Sequence, residues 1–178
     1  SPYLIKKYNY NDYLRNKFKI PKDHKIYIYV GVLMKGRSLI QILKCFKTGL
    51  IKKKASLVFL GDGPLKSYLK KNISLQDCIY FHKPVAHEKV IEIVSSANYG
   101  LCLIENVSLS DYLCLPNKLF EYIFSGLPVI GSDFPEIKKL INNFKLGYTC
   151  APKEKSIINI INKVNITKKS FSFNKEKL

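Results

Sequence analysis

The chain has 178 residues, of which 47% are hydrophobic, and it carries a formal net charge of +17. This length and apolar content predict one folded domain with a proper core and exclude a largely disordered chain. No uninterrupted apolar stretch reaches the roughly 18 residues of a membrane-spanning helix, and the first residues lack the layout of a signal peptide. The five cysteines are scattered without zinc-ligand or redox spacing, so we interpret them as reduced thiols and expect a cytoplasmic location.

Lysine carries almost all of the positive charge. Only Arg15 and Arg37 are arginines, and the lysines are spread along the chain. Because arginine makes most base-edge and bidentate phosphate contacts in nucleic-acid binders, this composition argues against a nucleic-acid partner. Weak attraction to anionic lipid, and so peripheral contact with the inner face of a membrane, remains an expectation.

Apolar strand-like runs alternate with amphipathic helix-like runs along most of the chain. Residues 1–24 are interpreted as a linker segment with a short helix, 25–165 as the domain, and 166–178 as a truncated last element. The missing initiator Met favours a piece of a longer protein. The alternation predicts an α/β domain, a Rossmann-like doubly wound parallel sheet of about six strands. We predict strands at 26–33, 57–60, 78–81, 99–104, 129–131 and 147–150, and helices at 38–46, 65–71, 87–97, 117–125, 135–142 and 156–164.

The predicted strands end in glycine-rich segments, where ligands of doubly wound sheets bind. The first strand leads through Gly31 to Lys35-Gly36-Arg37, and the second leads into Gly61-Asp62-Gly63-Pro64. Glycines at these positions would let a ligand approach the backbone, although a turn before a helix explains Gly61 and Gly63 equally well. The dinucleotide fingerprint is absent, because Lys66 stands where its third glycine is required.

Residues 113–133 form the most informative segment. Pro116 and Asn117 are predicted to open a short helix, with Lys118 in its first turn and Glu121 one turn further on. A helix N-terminus favours anions, and Lys118 adds a full positive charge there. Glu121 lies on nearly the same face and can accept hydrogen bonds from hydroxyls. The pattern therefore indicates a nucleotide-sugar site, although an ordinary helix start explains the spacing about as well.

No metal site is predicted. No two aspartates stand two residues apart, and His24, His82 and His87 are not spaced as metal ligands. We therefore expect ligand binding without a metal or another cofactor. His82, directly after a predicted strand, remains a candidate for a ligand contact.

With these residues placed, the chain resembles the carboxy-terminal domain of retaining glycosyltransferases of family 4, which have the two-domain GT-B fold. The likeness runs from about residue 25 to residue 150 and is carried by Tyr29-Val30-Gly31, Lys35-Gly36-Arg37, residues 60–64 and residues 116–133. The resemblance implies a domain that holds the diphosphate of a nucleoside-diphosphate sugar, with uridine as the expected nucleoside. An amino-terminal acceptor-binding domain of the same chain would be its partner, so the fragment alone is expected to be inactive.

The resemblance also implies roles for single residues. Arg37 and Lys118 would neutralise the diphosphate during transfer, and Glu121 would bind the ribose hydroxyls. The other implied donor-binding residues are Gly31, Pro116 and Asn117 around the diphosphate, and Gly61, Gly63 and the 81–85 segment, including Lys83, around the base.

Two positions depart from the family pattern. Many members have a glutamate that contacts the donor sugar eight residues before the ribose-binding one, and Leu113 stands there. Asp111, Glu105 or backbone amides would have to replace it. An arginine often follows the first-strand glycine, where this chain has Val32, so Arg37 and Lys118 would carry more of the charge neutralisation.

The expected function is retaining transfer of a sugar from a nucleoside-diphosphate sugar to a polysaccharide or lipid-linked acceptor, as in a bacterial surface-polysaccharide subgroup. Two alternatives remain open. One is a nucleotide-sugar epimerase of the same fold, whose catalytic carboxylates and histidines we cannot place in this sequence. The other is a basic α/β module that binds nucleic acid or membranes, which would bind with a steep dependence on salt.

Overall fold

A six-stranded parallel sheet forms the centre of the molecule in a computed structural model that describes residues 10–51 and 54–166. The strands are β1 (Lys25–Val30), β2 (Ala55–Leu60), β3 (Ile79–His82), β4 (Tyr99–Cys102), β5 (Val129–Ser132) and β6 (Gly147–Cys150). Their spatial order is β3-β2-β1-β4-β5-β6, and every neighbouring pair is parallel. The strand order reverses between β1 and β4, with β2 and β3 on one side and β5 and β6 on the other, so a crevice is expected beyond the carboxyl ends of β1 and β4.

Helices cover both faces of the sheet, which confirms the predicted doubly wound α/β fold. Alternate residues of β1 point to opposite faces, so Ile26 and Ile28 join one apolar core while Tyr27 and Tyr29 join the other. The helices are α1 (Tyr13–Phe18), α2 (Leu39–Lys47), α3 (Lys66–Lys71), α4 (His87–Val94), α5 (Leu109–Leu113), α6 (Asn117–Ser125), α7 (Pro135–Phe144) and α8 (Glu154–Asn165). The first core also contains residues of α1, α4, α6 and α7, and the second contains residues of α2, α3 and α8.

The predicted elements are all present, with ends that differ by a few residues. The sequence interpretation missed two short elements, α5 and the 3-10 turn Leu75–Asp77. Both begin with the pattern Ser-x-x-Asp, in which the serine side chain accepts from the backbone and the aspartate closes the first turn. Ser108 and Asp111 form this cap in α5. This Ser-x-x-Asp pattern could have predicted both elements from the sequence.

The part of the linker segment that the structure describes packs against the domain. Leu14 of α1 is fully buried in the first core, and its backbone N–H donates to the hydroxyl of Ser96. Residues 1–9 of the predicted linker and residues 167–178 of the predicted last element lie outside the described residues. Among the residues that are described, no helix combines the length and apolar character required for a membrane crossing.

Candidate functional site

Helix α6 packs on the sheet next to the crevice between β1 and β4. Its apolar face is buried, and the fully buried Tyr122 reaches both strands. The Tyr122 hydroxyl accepts from the backbone N–H of Val30 at 3.0 Å and donates to the carbonyl of Leu101 at 3.1 Å. Gly100 makes this possible, because a Cβ atom there would lie 2.4 Å from the Tyr122 ring. The start of α6 is therefore held at the carboxyl ends of β1 and β4.

The first turn of α6 brings Lys118 to the end of β1. Pro116 is extended and Asn117 is the first helical residue, as predicted. The Lys118 ammonium lies 3.8 Å from the centre of the Tyr29 ring, and a Cβ atom on Gly31 would lie 3.4 Å from it. The structure therefore brings Gly31 and Lys118 together.

The Lys118 ammonium lies in a partly buried position where water solvates it poorly. Its pKa is lowered to about 8, mainly by burial and also by the nearby Arg37, while Cys102, Glu121 and Cys114 act in the opposite direction. Within the described part of the chain, no hydrogen-bond or ion-pair partner is found for this ammonium. An anion at this position would meet a charge that water screens only weakly.

Glu121 lies one turn further along α6 in a partly buried position. Its side chain is 18% exposed, and burial raises the pKa of the carboxyl group, against the opposing influence of His87 and Lys118. The Nδ1 atom of His87, at the start of α4, lies 3.5 Å from one carboxylate oxygen. The sequence interpretation did not associate His87 with this site, because only the packing of α4 against α6 brings the two side chains together.

Arg37 is held by a carboxylate. Its guanidinium donates to Asp111 at 3.3 Å, and the Ser108 hydroxyl donates to the other oxygen of that carboxylate at 2.7 Å. Arg37 also lowers the pKa of Lys118 by charge repulsion, so the two predicted phosphate-neutralising residues lie within electrostatic range of each other. Asp111, one of three proposed replacements for the missing glutamate, lies beside Arg37.

The Glu105 side chain caps the N-terminus of helix α2. Its carboxylate accepts from the backbone N–H of Ser38 at 3.2 Å and from the side-chain amide of Gln41 at 3.0 Å. Leu113, at the position of the missing glutamate, is 48% exposed.

The glycines after β2 have a packing role that the sequence did not reveal. A Cβ atom on Gly61 would lie 1.9 Å from the carbonyl oxygen of Gly31, and one on Gly63 would lie 2.6 Å from that of Leu33. These glycines let the segment after β2 pack directly on the segment after β1. Contact of Gly61, Gly63 or the exposed Lys83 with a ligand stays a prediction.

His82 has a structural role. It is 2% exposed, its Nδ1 donates to the carbonyl of Lys83 at 2.6 Å, and its Nε2 accepts from the hydroxyl of Tyr13 at 2.8 Å. Both ring nitrogens are engaged inside the protein, so the earlier suggestion of a ligand contact loses its support. Within residues 10–51 and 54–166, no three His, Cys, Asp or Glu side chains are grouped as metal ligands. Independence of metal ions stays a prediction.

The arrangement can bind an anion next to a group of hydroxyls. The N-terminus of α6, Lys118 and Arg37 supply positive charge at the crevice, and the Glu121 carboxylate supplies hydrogen-bond acceptors one turn away. A ligand with a diphosphate joined to a ribose has this sequence of groups.

Comparisons with known proteins identify a matching family model and solved structures of similar fold. The family model described as "Glycosyl transferases group 1" matches residues 11–170. HepE from Anabaena, solved in complex with UDP and glucose, is similar with a TM-score of 0.69 at 14% identity, over 89% of this chain and 44% of that one. WaaG, a glycosyltransferase involved in lipopolysaccharide biosynthesis, is similar with a TM-score of 0.65 at 14% identity, over 86% of this chain and 41% of that one.

A third similar structure is the C-terminal domain of LpcC, a glycosyl transferase group 1 family protein from Francisella tularensis. It gives a TM-score of 0.65 at 16% identity, over 91% of this chain and 85% of that one. The chain thus spans less than half the length of HepE and WaaG but most of this single domain.

Proposed function

The chain belongs to the glycosyl transferases group 1 family, and from this we propose that it is the donor-binding domain of a sugar-transferring enzyme. The proposed ligand is a nucleoside-diphosphate sugar, with uridine as the nucleoside. HepE, which shares this fold, was solved with UDP and with UDP-glucose, and this supports the choice. The observation that carries the proposal is the Lys118 ammonium beside Gly31 at the end of β1, with the Glu121 carboxylate one turn along α6.

The diphosphate would bind between the start of α6 and the segment after β1. Lys118, Arg37 and the first backbone N–H groups of α6 would then surround it. Negative charge grows on the diphosphate as the bond to the sugar breaks, so preplaced positive charge stabilises the transition state. We propose that these groups supply the stabilisation without a metal ion.

Glu121 would accept hydrogen bonds from the ribose hydroxyls. Burial raises the pKa of its carboxyl group, and the Nδ1 atom of His87 lies 3.5 Å from one of its two oxygens. The second oxygen is then available to a hydroxyl. We propose that Glu121 distinguishes a nucleotide from a bare diphosphate.

Asp111 is our candidate for the residue that contacts the donor sugar in place of the missing glutamate. Its carboxylate is held by the side chains of Arg37 and Ser108, which can rearrange around a ligand. Glu105 is held by a backbone N–H of Ser38, so turning it toward a ligand would uncap α2.

We further propose that the transfer is retaining, that the acceptor is a polysaccharide or lipid-linked saccharide, and that the enzyme works in the cytoplasm next to a membrane. WaaG, of similar fold, acts in lipopolysaccharide biosynthesis, which supports this acceptor class. The acceptor would be bound by an amino-terminal domain, since the chain matches only 41–44% of the two longer enzymes.

Calorimetry with UDP and with pyrophosphate tests the donor site. Lys118→Ala should weaken the binding of both ligands by roughly 10- to 100-fold, because it removes a charge-assisted phosphate contact. Glu121→Ala should weaken UDP binding and leave pyrophosphate binding nearly unchanged. Lys138→Ala, an exposed lysine in the first turns of α7, is the matched control and should bind both ligands as wild type does. Wild-type affinity in a folded Lys118→Ala variant would contradict the site.

A second experiment tests the reaction. The full-length protein should transfer sugar from a UDP-sugar to lipid-linked acceptors, whereas the 178-residue chain should bind donor and at most hydrolyse it slowly, because a facing domain must hold the acceptor and exclude water. Steep loss of binding with salt in place of nucleotide specificity would favour the basic binding module instead.

A further inference from the structure

Lys118 reaches its position by crossing the end of the sheet. Helix α6 packs on the face of the first core, through Leu119 and Tyr122, whereas Tyr29 belongs to the second core on the opposite face. The lysine side chain nevertheless places its ammonium 3.8 Å from the centre of the Tyr29 ring. It passes β1 at Gly31, where a Cβ atom would lie 3.6 Å from Cε and 3.4 Å from Nζ.

Tyr29 is itself held firmly. It is 1% exposed, its ring packs edge-on against Phe59, and its hydroxyl donates to the carbonyl of Val32 at 2.8 Å. The ring and the segment after β1 are therefore fixed with respect to each other. A cation over the ring is fixed with respect to that segment as well.

An aromatic ring is a particular kind of partner for a partly buried cation. A carboxylate would satisfy the ammonium but would also neutralise it and compete with an incoming anion, as Asp111 does for Arg37. The ring face attracts the cation through its quadrupole and carries no net charge. The ammonium on Tyr29 is thus held in place with its charge still available to an anion.

We propose that Tyr29 is a positioning residue for donor binding: its ring holds the Lys118 ammonium at the end of β1, where the diphosphate binds. This inference rests on the proposed function of Lys118. It assigns to a fully buried core tyrosine an effect on the affinity for anions, which core packing alone would not give.

Pyrophosphate binding at pH 7 tests the proposal, with Tyr27 as a matched control on the same strand and the same face. Tyr27 is also fully buried, but it stacks on Tyr99 and donates to Asn165, in the opposite direction from the site. Tyr29→Leu should weaken pyrophosphate binding about five- to tenfold. Tyr27→Leu should lower the melting temperature and leave the affinity unchanged.

Further variants separate the ring from general damage to the fold. Tyr29→Met fills about the same volume as Tyr29→Leu with a flexible unbranched chain and should show the same loss, while Tyr29→Phe keeps the ring and should restore most of the affinity. In a Lys118→Ala background, Tyr29→Leu should cause no additional loss, because the cation that the ring holds is absent. An equal loss in that background, or equal affinities of the folded Tyr29 and Tyr27 variants, would overturn the proposal.

Ligand binding by the wild type separates a failure of the proposed function from a failure of the proposed role of Tyr29. If the wild type fails to bind pyrophosphate and UDP, the proposed function fails and the role of Tyr29 fails with it. If the wild type binds and Lys118→Ala does not, the donor site stands, and the Tyr29 variants alone decide the positioning role.

Discussion

The guanidinium of Arg37 lies 3.3 Å from a carboxylate oxygen of Asp111, and this pair joins the segment after β1 to helix α5. The two side chains are only 29% and 22% exposed, so water screens the pair less than a fully exposed one. The two cations of the candidate site are thus held differently, Arg37 by a carboxylate and Lys118 by an aromatic ring. An anion must compete with Asp111 for the first but has no such competitor for the second.

The first prediction follows from this competition. Asp111→Asn should raise the affinity for pyrophosphate about threefold, or ~0.7 kcal/mol, the usual size of such a pair. If Asp111 also contacts the donor sugar, the same variant should lose part of the affinity that a UDP-sugar gains over UDP. Calorimetry with the three ligands measures both effects.

Asp23→Asn is the control for the change in net charge. Asp23 pairs with Lys54 at 3.7 Å close to the amino ends of β1 and β2, whereas the site lies at the carboxyl ends of the strands. A rise in pyrophosphate affinity that is equal in the two variants would show a long-range charge effect and contradict competition at Arg37.

The second prediction concerns pH. The pKa of Lys118 is about 8, lowered mainly by burial from the usual 10.5. As pH rises through 8 the ammonium loses its proton, so affinity for UDP should be about tenfold weaker at pH 9 than at pH 7, and binding at pH 8.5 should take up protons. Calorimetry in buffers of different ionisation enthalpy measures the uptake. Lys118→Ala should lack both effects, and equal proton uptake in that variant would assign it to another group.

The pKa of Lys118 also determines whether this residue stabilises or destabilises the folded chain as the pH rises. Between pH 8 and 10.5 the unfolded chain binds more protons at Lys118 than the folded chain does. The contribution of this residue to the free energy of unfolding therefore rises with pH across that window. Denaturation of the wild type and of Lys118→Met at pH 7 and pH 10 should show a smaller increase, or a larger decrease, in stability for the variant.

The third prediction concerns Ser38, the residue directly before α2, which has a left-handed backbone conformation. Its φ is +54°, its side chain is fully buried, and its hydroxyl has no hydrogen-bond partner among the described residues. Ser38→Gly removes a strained Cβ and a buried unpaired hydroxyl, so it should raise the free energy of unfolding by about 1 kcal/mol. Urea denaturation provides the measurement.

Ser132→Gly is the matched control for this substitution. Ser132 is equally buried, but its hydroxyl accepts from the Ile104 N–H at 2.7 Å and donates to the Ile104 carbonyl at 2.9 Å. This variant should be destabilised. A loss of stability in Ser38→Gly as well would show that the Ser38 hydroxyl has a partner or that its backbone is not strained.

The fourth prediction concerns the contact between the segments after β1 and β2. Gly61→Ala places a Cβ atom on the carbonyl oxygen of Gly31, and backbone atoms cannot move aside as side chains do, so the loss should exceed about 3 kcal/mol. Gly49→Ala is the control, because Gly49 also has a positive φ but nothing within 4 Å of its Cβ position. Its loss should stay near 1 kcal/mol. Thermal unfolding of both variants gives the comparison, and similar losses would mean that the backbone angle alone matters.

The sequence by itself determined the elements and the start of the site helix. Continuous apolar runs predicted the strands, because a strand that is covered on both faces has no polar side. Pro116-Asn117 predicted the start of α6, and the predicted last residue, 125, is followed by Gly126, whose left-handed backbone ends the helix. The positions of Lys118 and Glu121 on that helix followed from helical periodicity alone.

Only the tertiary structure decided which side chains meet. Arg37 and Asp111 are 74 residues apart and become neighbours because β1 lies next to β4 in the sheet. His87 meets Glu121 because α4 packs on α6, and Lys118 reaches Tyr29 because Gly31 leaves the end of β1 open. Strand order and helix packing are set by burial summed over the whole chain, so no local pattern contains them. The candidate anion-binding residues Arg37 and Lys118 could thus be predicted from the sequence, while their partners, and hence which of the two cations has no carboxylate paired to it, were determined only by the fold.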